Sequence, residues 1–228
     1  MPVESGKETQ AAPVRRGWEP ILSPVDRLSE VIFGLIMALS FTGTLSVAES
    51  GRGEIRTMLL GALGCNTAWG VVDGVMYVIT ALVQRRRGLT LLRAVRGEPD
   101  AERARRLVAN ALPPLVAASA AAATLERLRL DLVGMKEVPS GGVTGRDFLG
   151  ALGVFLLVFL STLPVAIPFL FPIEPLRAHR ISNGVAIAML FGVGYGLGHF
   201  AGGRALGMAL SMVAIGTVLV GLTIALGG

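Results

Sequence analysis

Five long apolar segments dominate the sequence and restrict what the chain can fold into. They run from Val31 to Ala48, Thr57 to Val83, Phe148 to Ile173, Ile181 to Gly202 and Ala205 to Gly228. A helix needs roughly 20 largely apolar residues to cross about 30 Å of hydrocarbon. The sequence therefore predicts an all-α integral membrane protein with five transmembrane helices.

The composition supports a bilayer environment and excludes several other classes of protein. Hydrophobic residues make up 52% of the chain and charged residues only 16%, against about a quarter in soluble domains. The net charge of +5 comes from basic residues that flank apolar segments rather than forming a patch, so we expect no nucleic-acid partner. Cys65 stands alone, which leaves no disulfide and no zinc site, and residues 1–20 contain no cleavable signal peptide.

The distribution of Lys and Arg predicts the orientation. Alternate sides of the five spans carry 17 and four basic residues, and the run Gln84-Arg85-Arg86-Arg87 directly follows span two. Because basic residues concentrate on the cytoplasmic side, the N-terminus should be cytoplasmic and the C-terminus outside. The domains expected are a cytoplasmic tail (1–23), spans one and two (24–83), a cytoplasmic insertion (84–147) and spans three to five (148–228).

The insertion alternates good helix formers with caps and breakers, which predicts two or three short helices. Glu98-Pro99-Asp100 should open one, Pro113-Pro114 should end it and begin the next, and Gly134 should close that helix. Glu102 and Arg106, at i and i+4, are expected to form a solvated ion pair.

Asp73, within AWGVVDGVMY, is the single carboxylate inside span two. Twelve residues separate it from Arg85, about 18 Å of helix, which places it near the bilayer midplane. A charge at that depth costs about 2.5 to 3.5 kcal/mol, so it should face protein or water and have a partner. At helical spacing it shares a polar stripe with five neighbouring positions: Asn66, Trp69, Met76 or Tyr77, Thr80 and Gln84. Two interpretations remain open, a hydrogen bond between helices and an ion or proton pathway.

Span one carries a parallel stripe. Ser23-Pro24-Val25-Asp26 predicts its start, with an N-cap, a first-turn proline and an acidic third position. Along the helix follow Glu30, Met37, Ser40 or Phe41, and Thr44. An interfacial ion pair with Arg27 is the simpler explanation of Glu30, and packing is the simpler explanation of Met37.

The remaining motifs have structural explanations. GVGYGLG at 192–198 lies inside an apolar span, so its glycines at i, i+4 spacing indicate close helix packing rather than a nucleotide loop. His179, in the outer loop, and His199 are expected to be surface or interface residues. The sequence offers neither a nucleophile nor a second intramembrane acid, so we expect no enzyme and no bound cofactor.

The order of these parts resembles the vacuolar iron transporter family. The local phrases that carry the resemblance are VDRLSEVIFGLIMALSFTGTLSVAE, GALGCNTAWGVVDGVMY, FLSTLPVAIPFLFP and RISNGVAIAMLFGVGYGLG, and together with the architecture it covers residues 24–228. The phrases look like a bacterial branch of that family, which implies a bacterial inner-membrane protein. The resemblance also implies transport of Fe²⁺ or Mn²⁺ with proton exchange by a homodimer whose spans one and two line the pathway.

The chain departs from the family at its metal-binding positions. Members carry an Asp-Gly pair in span one, where this chain has Met37-Ala38, and its own pair, Asp73-Gly74, lies in span two. We interpret this as an exchange that keeps a mixed oxygen and sulfur site, which ferrous iron tolerates. Asp73 would be the central ligand or proton carrier, Met37 and Met76 soft ligands, and Glu30 the group nearest the cytoplasm. Asn66, Tyr77, Ser40 and Thr44 would supply polar support.

Family members that buffer metal in the insertion use clustered glutamates. Residues 91–138 here contain six acidic residues and eight basic ones, so we assign no metal site there. The alternative to a transporter is a membrane scaffold or interaction protein that keeps the fold without transport. In that case Asp73 would only join helices.

Overall fold

All regular structure in the described residues is helical. The computed structural model describes residues 21–43, 52–136, 138 and 140–225. Its helices are α1 (Pro24–Gly43), α2 (Arg52–Gly97), α3 (Ala101–Ala111), α4 (Pro114–Ser119), α5 (Ala122–Gly134), α6 (Gly145–Ala166), α7 (Pro175–Phe200) and α8 (Ala205–Ala225).

Four of the helical segments are long and apolar enough to cross a membrane. They are Ile55–Gly97, Gly145–Leu170, Pro175–Phe200 and Ala205–Leu222, and they overlap the second to fifth predicted spans. The all-α membrane class is confirmed at this level. Helix α1 is not among the four, because Asp26, Arg27 and Glu30 charge its first two turns and the end of the predicted span at Ala48 lies outside the described residues.

The predicted start of α1 is confirmed in atomic detail. The Ser23 backbone N–H donates to Asp26 Oδ2 at 3.1 Å, and the Asp26 N–H donates to Ser23 Oγ at 3.1 Å. This reciprocal pair satisfies two of the donors that a helix leaves free at its N-terminus.

Helix α2 continues well past the end of its apolar segment. Residues 84–97 extend it by about 20 Å beyond the predicted span, with no break at the arginine run. The short helices of the insertion pack on this extension through a core of Val95, Ala104 and Val108. The insertion therefore begins inside α2 rather than after it.

The breakers predicted for the insertion lie at helix ends, but Gly134 closes α5 and not the helix that begins at Pro114, which ends at Ser119. The Asp100 side chain caps α3 by accepting from the Glu102 N–H, Pro113 precedes α4, and α5 ends at Gly134. Glu102 and Arg106 form the expected exposed ion pair at 3.0 Å. Glu126 accepts from Arg129, with Arg105 nearby, and these arginines hold the pKa of the Glu126 carboxyl below its usual value.

Helix α1 lies at the centre of the apolar bundle. Leu35 and Leu39 are fully buried and pack with Val165 of α6 and with Ala186 and Leu190 of α7. Helices α7 and α8 pack closely where glycine removes a side chain, since a Cβ on Gly198 would lie 2.7 Å from Ala205 Cα. The packing interpretation of GVGYGLG is thus confirmed for Gly194 and Gly198, whereas Gly192 faces open space.

Prolines end α6 earlier than the apolar pattern predicts. Pro164 lies inside the helix, a 3₁₀ turn follows over Ile167–Leu170, and Pro175 begins α7. His179 consequently lies in the second turn of α7 and is only 8% exposed, so its expected place in an exposed loop is wrong.

Candidate functional site

Three contacts align α1 and α2 as antiparallel neighbours along the polar stripe of α2. Asn66 Nδ2 donates to the Gly34 carbonyl at 3.4 Å, and the rings of Phe33 and Trp69 meet edge to face at 5.7 Å between centroids. Farther along, the Tyr77 hydroxyl donates to the Ile21 carbonyl at 2.9 Å. The helical spacing of the sequence predicted a polar face on α2, and these contacts turn that face toward α1.

Asp73 lies between these contacts and has no hydrogen-bond partner among the described residues. Its Oδ2 atom is buried and unpaired. A buried acceptor without a donor costs about 1 to 3 kcal/mol, and more when charged. Among the described residues, Asp73 makes no hydrogen bond to another helix.

Asn66 presents a second unpaired acceptor on the same stripe. Its side chain is fully buried, and its Oδ1 atom has no partner among the described residues. It precedes Asp73 by seven residues, two helical turns or about 10 Å of rise. Two acceptor oxygens thus line one side of the contact between α1 and α2, where a proton, a water molecule or a cation can satisfy them.

Glu30 is the acid on the opposite helix. It is partly buried and lies one turn before Gly34, on the same side of the Asn66 contact as Asp73. Arg27 does not form the expected ion pair with it among the described residues, and its guanidinium Nε donates to the Leu22 carbonyl at 3.1 Å. Two acids from neighbouring helices therefore lie on one side of the Asn66 contact, with no basic side chain paired to either in the described structure.

The two methionines predicted as ligands occupy different environments. Met37 is partly buried on α1, one turn beyond Gly34, so in register it is closer to Asn66 than to Asp73. Met76 is 52% exposed. Within the described residues no group of three or more His, Cys, Asp or Glu side chains could hold a metal ion. A metal at this site would take its remaining ligands from amide, carbonyl, thioether or water.

The polar support residues are mostly engaged with backbone. Ser40 Oγ donates to the Ile36 carbonyl at 2.9 Å, and Thr44 lies outside the described residues. The Tyr77 ring packs on Gly150 of α6, where a Cβ would lie 2.6 Å from the Tyr77 hydroxyl oxygen. Tyr77 thus fixes the start of α1 beside α6, while its hydroxyl is already used.

Sequence reasoning missed a buried polar pair at the opposite end of the bundle. His179 Nε2 and Asn183 Nδ2 are 3.0 Å apart, and the other polar atom of each side chain is buried without a partner among the described residues. Their i, i+4 spacing at the start of an apolar segment was the available signal.

Neither a scan against models of known protein families nor a search of curated proteins finds a match for this chain.

Proposed function

We propose that this protein is a membrane transporter of divalent transition metal ions, with Fe²⁺ or Mn²⁺ as cargo and proton exchange as the driving step. The observation that carries the proposal is the unpaired, buried Oδ2 of Asp73 on the face of α2 that meets α1. Ionisable groups inside apolar spans are costly, and they commonly mark ion or proton pathways.

The chemistry of the stripe fits a cation better than an anion or a neutral solute. Asp73 and Glu30 supply carboxylate oxygens, Asn66 supplies an amide oxygen, and the described residues place no basic side chain in an ion pair with these acids. Met37, one turn from the Gly34 carbonyl that binds Asn66, adds a thioether that favours a transition metal over Mg²⁺ or Ca²⁺.

Protons can occupy the same positions when the metal leaves. Two neighbouring carboxylates repel one another. A divalent cation neutralises this repulsion when it is bound, and a proton on either carboxylate relieves it when the cation has left. Binding of metal would then release a proton, which couples the two movements in opposite directions.

The proposal includes a fifth span, an orientation and an assembly. Helix α1 contributes Leu35, Ala38 and Leu39 to the apolar core, which supports a position across the membrane beside α7. The excess of Lys and Arg on one side supports a cytoplasmic N-terminus. A location in a bacterial inner membrane follows from the resemblance to the bacterial branch of the family. A homodimer follows from the resemblance to vacuolar iron transporters.

Metal uptake by proteoliposomes tests the proposal. Wild-type protein should move Fe²⁺ under anaerobic conditions, or Mn²⁺, and Asp73→Asn should slow uptake by about tenfold or more, equivalent to about 1.4 kcal/mol of lost cation binding. Glu174→Gln is the matched control, since Glu174 is an exposed acid whose only described ion pair is with Arg177 at 3.4 Å.

The outcomes separate transport from a structural role. If the wild type moves neither ion, the transport proposal is wrong and the scaffold alternative gains. If Asp73→Asn transports normally, Asp73 is not on the pathway. If the variant chiefly lowers the unfolding temperature, Asp73 stabilises the bundle instead.

A further inference from the structure

A second feature, apart from the polar stripe, is an apolar groove on the outer surface between α2 and α6. Its cavity volume is about 380 Å³. The groove exists because two glycines bring the helices close, since a Cβ on Gly70 would lie 3.0 Å from Phe155 Cδ2 and one on Gly74 would lie 3.0 Å from the Ala151 carbonyl oxygen. Its walls are half-exposed apolar side chains, among them Val71, Val75, Ile79, Phe148 and Leu152.

The length of the groove matches one leaflet of a bilayer. From Ile79 to Gly70 it spans nine residues, about 14 Å of helix, and half of the hydrocarbon core is about 15 Å. One end of the groove is polar. Gly74 of α2 lies opposite Ala151 of α6, and in the same antiparallel register Asp147 lies opposite Val78. There Asp147 binds Arg85 through both guanidinium nitrogens, with Nη2 to Oδ1 at 2.9 Å, and accepts from the Thr144 N–H at 2.7 Å.

Exposed basic side chains stand just beyond this polar end. Arg86 lies on the stripe of α2 that continues the groove wall, at i+11 from Val75 and i+7 from Ile79. Arg86 and Arg87 are both exposed, and neither forms an ion pair with the described residues, whereas Arg85 is bound to Asp147. Seven residues, about 10 Å, separate Arg86 from Ile79, a distance that places its long side chain among lipid headgroups.

We propose that this groove binds one acyl chain of an anionic phospholipid whose phosphate is held by Arg86, in the leaflet on the side of the insertion. The groove is apolar and about one leaflet long, and Arg86 lies beyond its polar end without an ion pair among the described residues. This arrangement favours a lipid with a negative headgroup over a zwitterionic one. The site is separate from the stripe that faces α1, so it holds whether or not the protein transports metal.

Lipid titration of the whole chain in neutral detergent tests the proposal. Dioleoyl phosphatidylglycerol and dioleoyl phosphatidylcholine are added separately, and bound lipid is counted by native mass spectrometry beside the unfolding temperature. Dioleoyl phosphatidylglycerol should bind more tightly, and Arg86→Gln should weaken its binding about fivefold, the equivalent of about 1 kcal/mol per basic residue. The same variant should weaken binding of dioleoyl phosphatidylcholine less, because the choline cation already offsets the charge of its phosphate. Val75→Trp, which fills the groove from an exposed wall position, should weaken both lipids.

Two control variants and one small anion sharpen the result. Arg204→Gln removes an exposed arginine elsewhere, and Leu210→Trp enlarges a half-exposed side chain on α8, so neither should alter lipid binding. If the wild type binds the two lipids equally tightly, and Arg86→Gln does the same, the proposal is wrong. The same shift produced by inorganic phosphate would also overturn it, because the groove would then be irrelevant. If the wild type is a dimer, Val75→Trp is a monomer and neither lipid changes the unfolding temperature, a second copy of the chain covers the groove instead.

Discussion

At the scale of single residues, Asp73 and Asn66 share an unusual condition. Each presents a buried oxygen acceptor with no donor among the described residues, on the one face of α2 that meets α1. Natural proteins pair nearly all buried polar atoms, so these two positions are where a proton, a water molecule or a cation could be accepted. The same condition predicts that stability and function separate at these positions.

Asn66→Leu should abolish metal uptake without destabilising the protein. The variant loses one long hydrogen bond, 3.4 Å to Gly34, and also removes an unpaired buried acceptor whose cost is about 1 to 3 kcal/mol. The unfolding temperature should stay the same or rise, and proteoliposome uptake should fall. Thr67→Val, an exposed neighbour bonded only to the Leu63 carbonyl, should change neither quantity. A large drop in unfolding temperature for Asn66→Leu would show that the amide has a structural partner.

At the scale of elements, the close approach of helices decides which helix the polar stripe of α2 faces. Helix α1 packs on α6 through Gly34, whose missing side chain leaves room for Ser161 Oγ and the Val158 carbonyl. The same residue offers its carbonyl to Asn66 of α2. Gly34 therefore couples the packing of α1 on α6 to the register of α1 along α2.

Gly34→Ala should destabilise the bundle by about 1 to 3 kcal/mol, as overpacking does elsewhere. The new Cβ would collide with Ser161 Oγ and lie 2.7 Å from the Val158 carbonyl oxygen, and a backbone atom cannot move aside cheaply. Adding Ser161→Ala should restore only part of the loss, as measured by thermal unfolding in detergent. Gly184→Ala, where nothing lies within 4 Å of the added Cβ, should be neutral or stabilising. Equal effects of Gly34→Ala and Gly184→Ala would contradict this packing.

At the scale of the whole molecule, the long helix α2 joins the membrane part to the insertion. It contacts α6 in the bundle and α3 and α5 beyond it, and the bidentate pair of Arg85 with Asp147 ties it to the start of α6. Four of the described helices are long and apolar enough to span a membrane, so the proposed fifth crossing rests on α1.

Cysteine labelling distinguishes five crossings from four. In a Cys65→Ser background, cysteines replacing Ser5, Leu115 and Gly228 report the N-terminus, the insertion and the C-terminus to an impermeant reagent. If α1 spans, the first two should react from the same side and the third from the other. If it does not, the N-terminus should react together with the C-terminus and opposite Leu115, which is 87% exposed on α4.

The sequence by itself determined the helical membrane class, the capped start of α1, the helices of the insertion and the polar stripe of α2. These follow from hydropathy, helical spacing and local capping, which depend on residues near one another in the chain. It did not determine the early end of α6, the burial of His179, or the failure of Arg27 to pair with Glu30.

Only the tertiary structure decided what the stripe faces. The Gly34 carbonyl, 32 residues from Asn66, became its partner, and Glu30 came to lie on the same side of that contact as Asp73, because glycines set how closely and in which register the helices pack. Met37 and Met76 remain predicted ligands. Hydropathy tells which residues avoid water, whereas the shape of side chains at a helix crossing sets which of them meet.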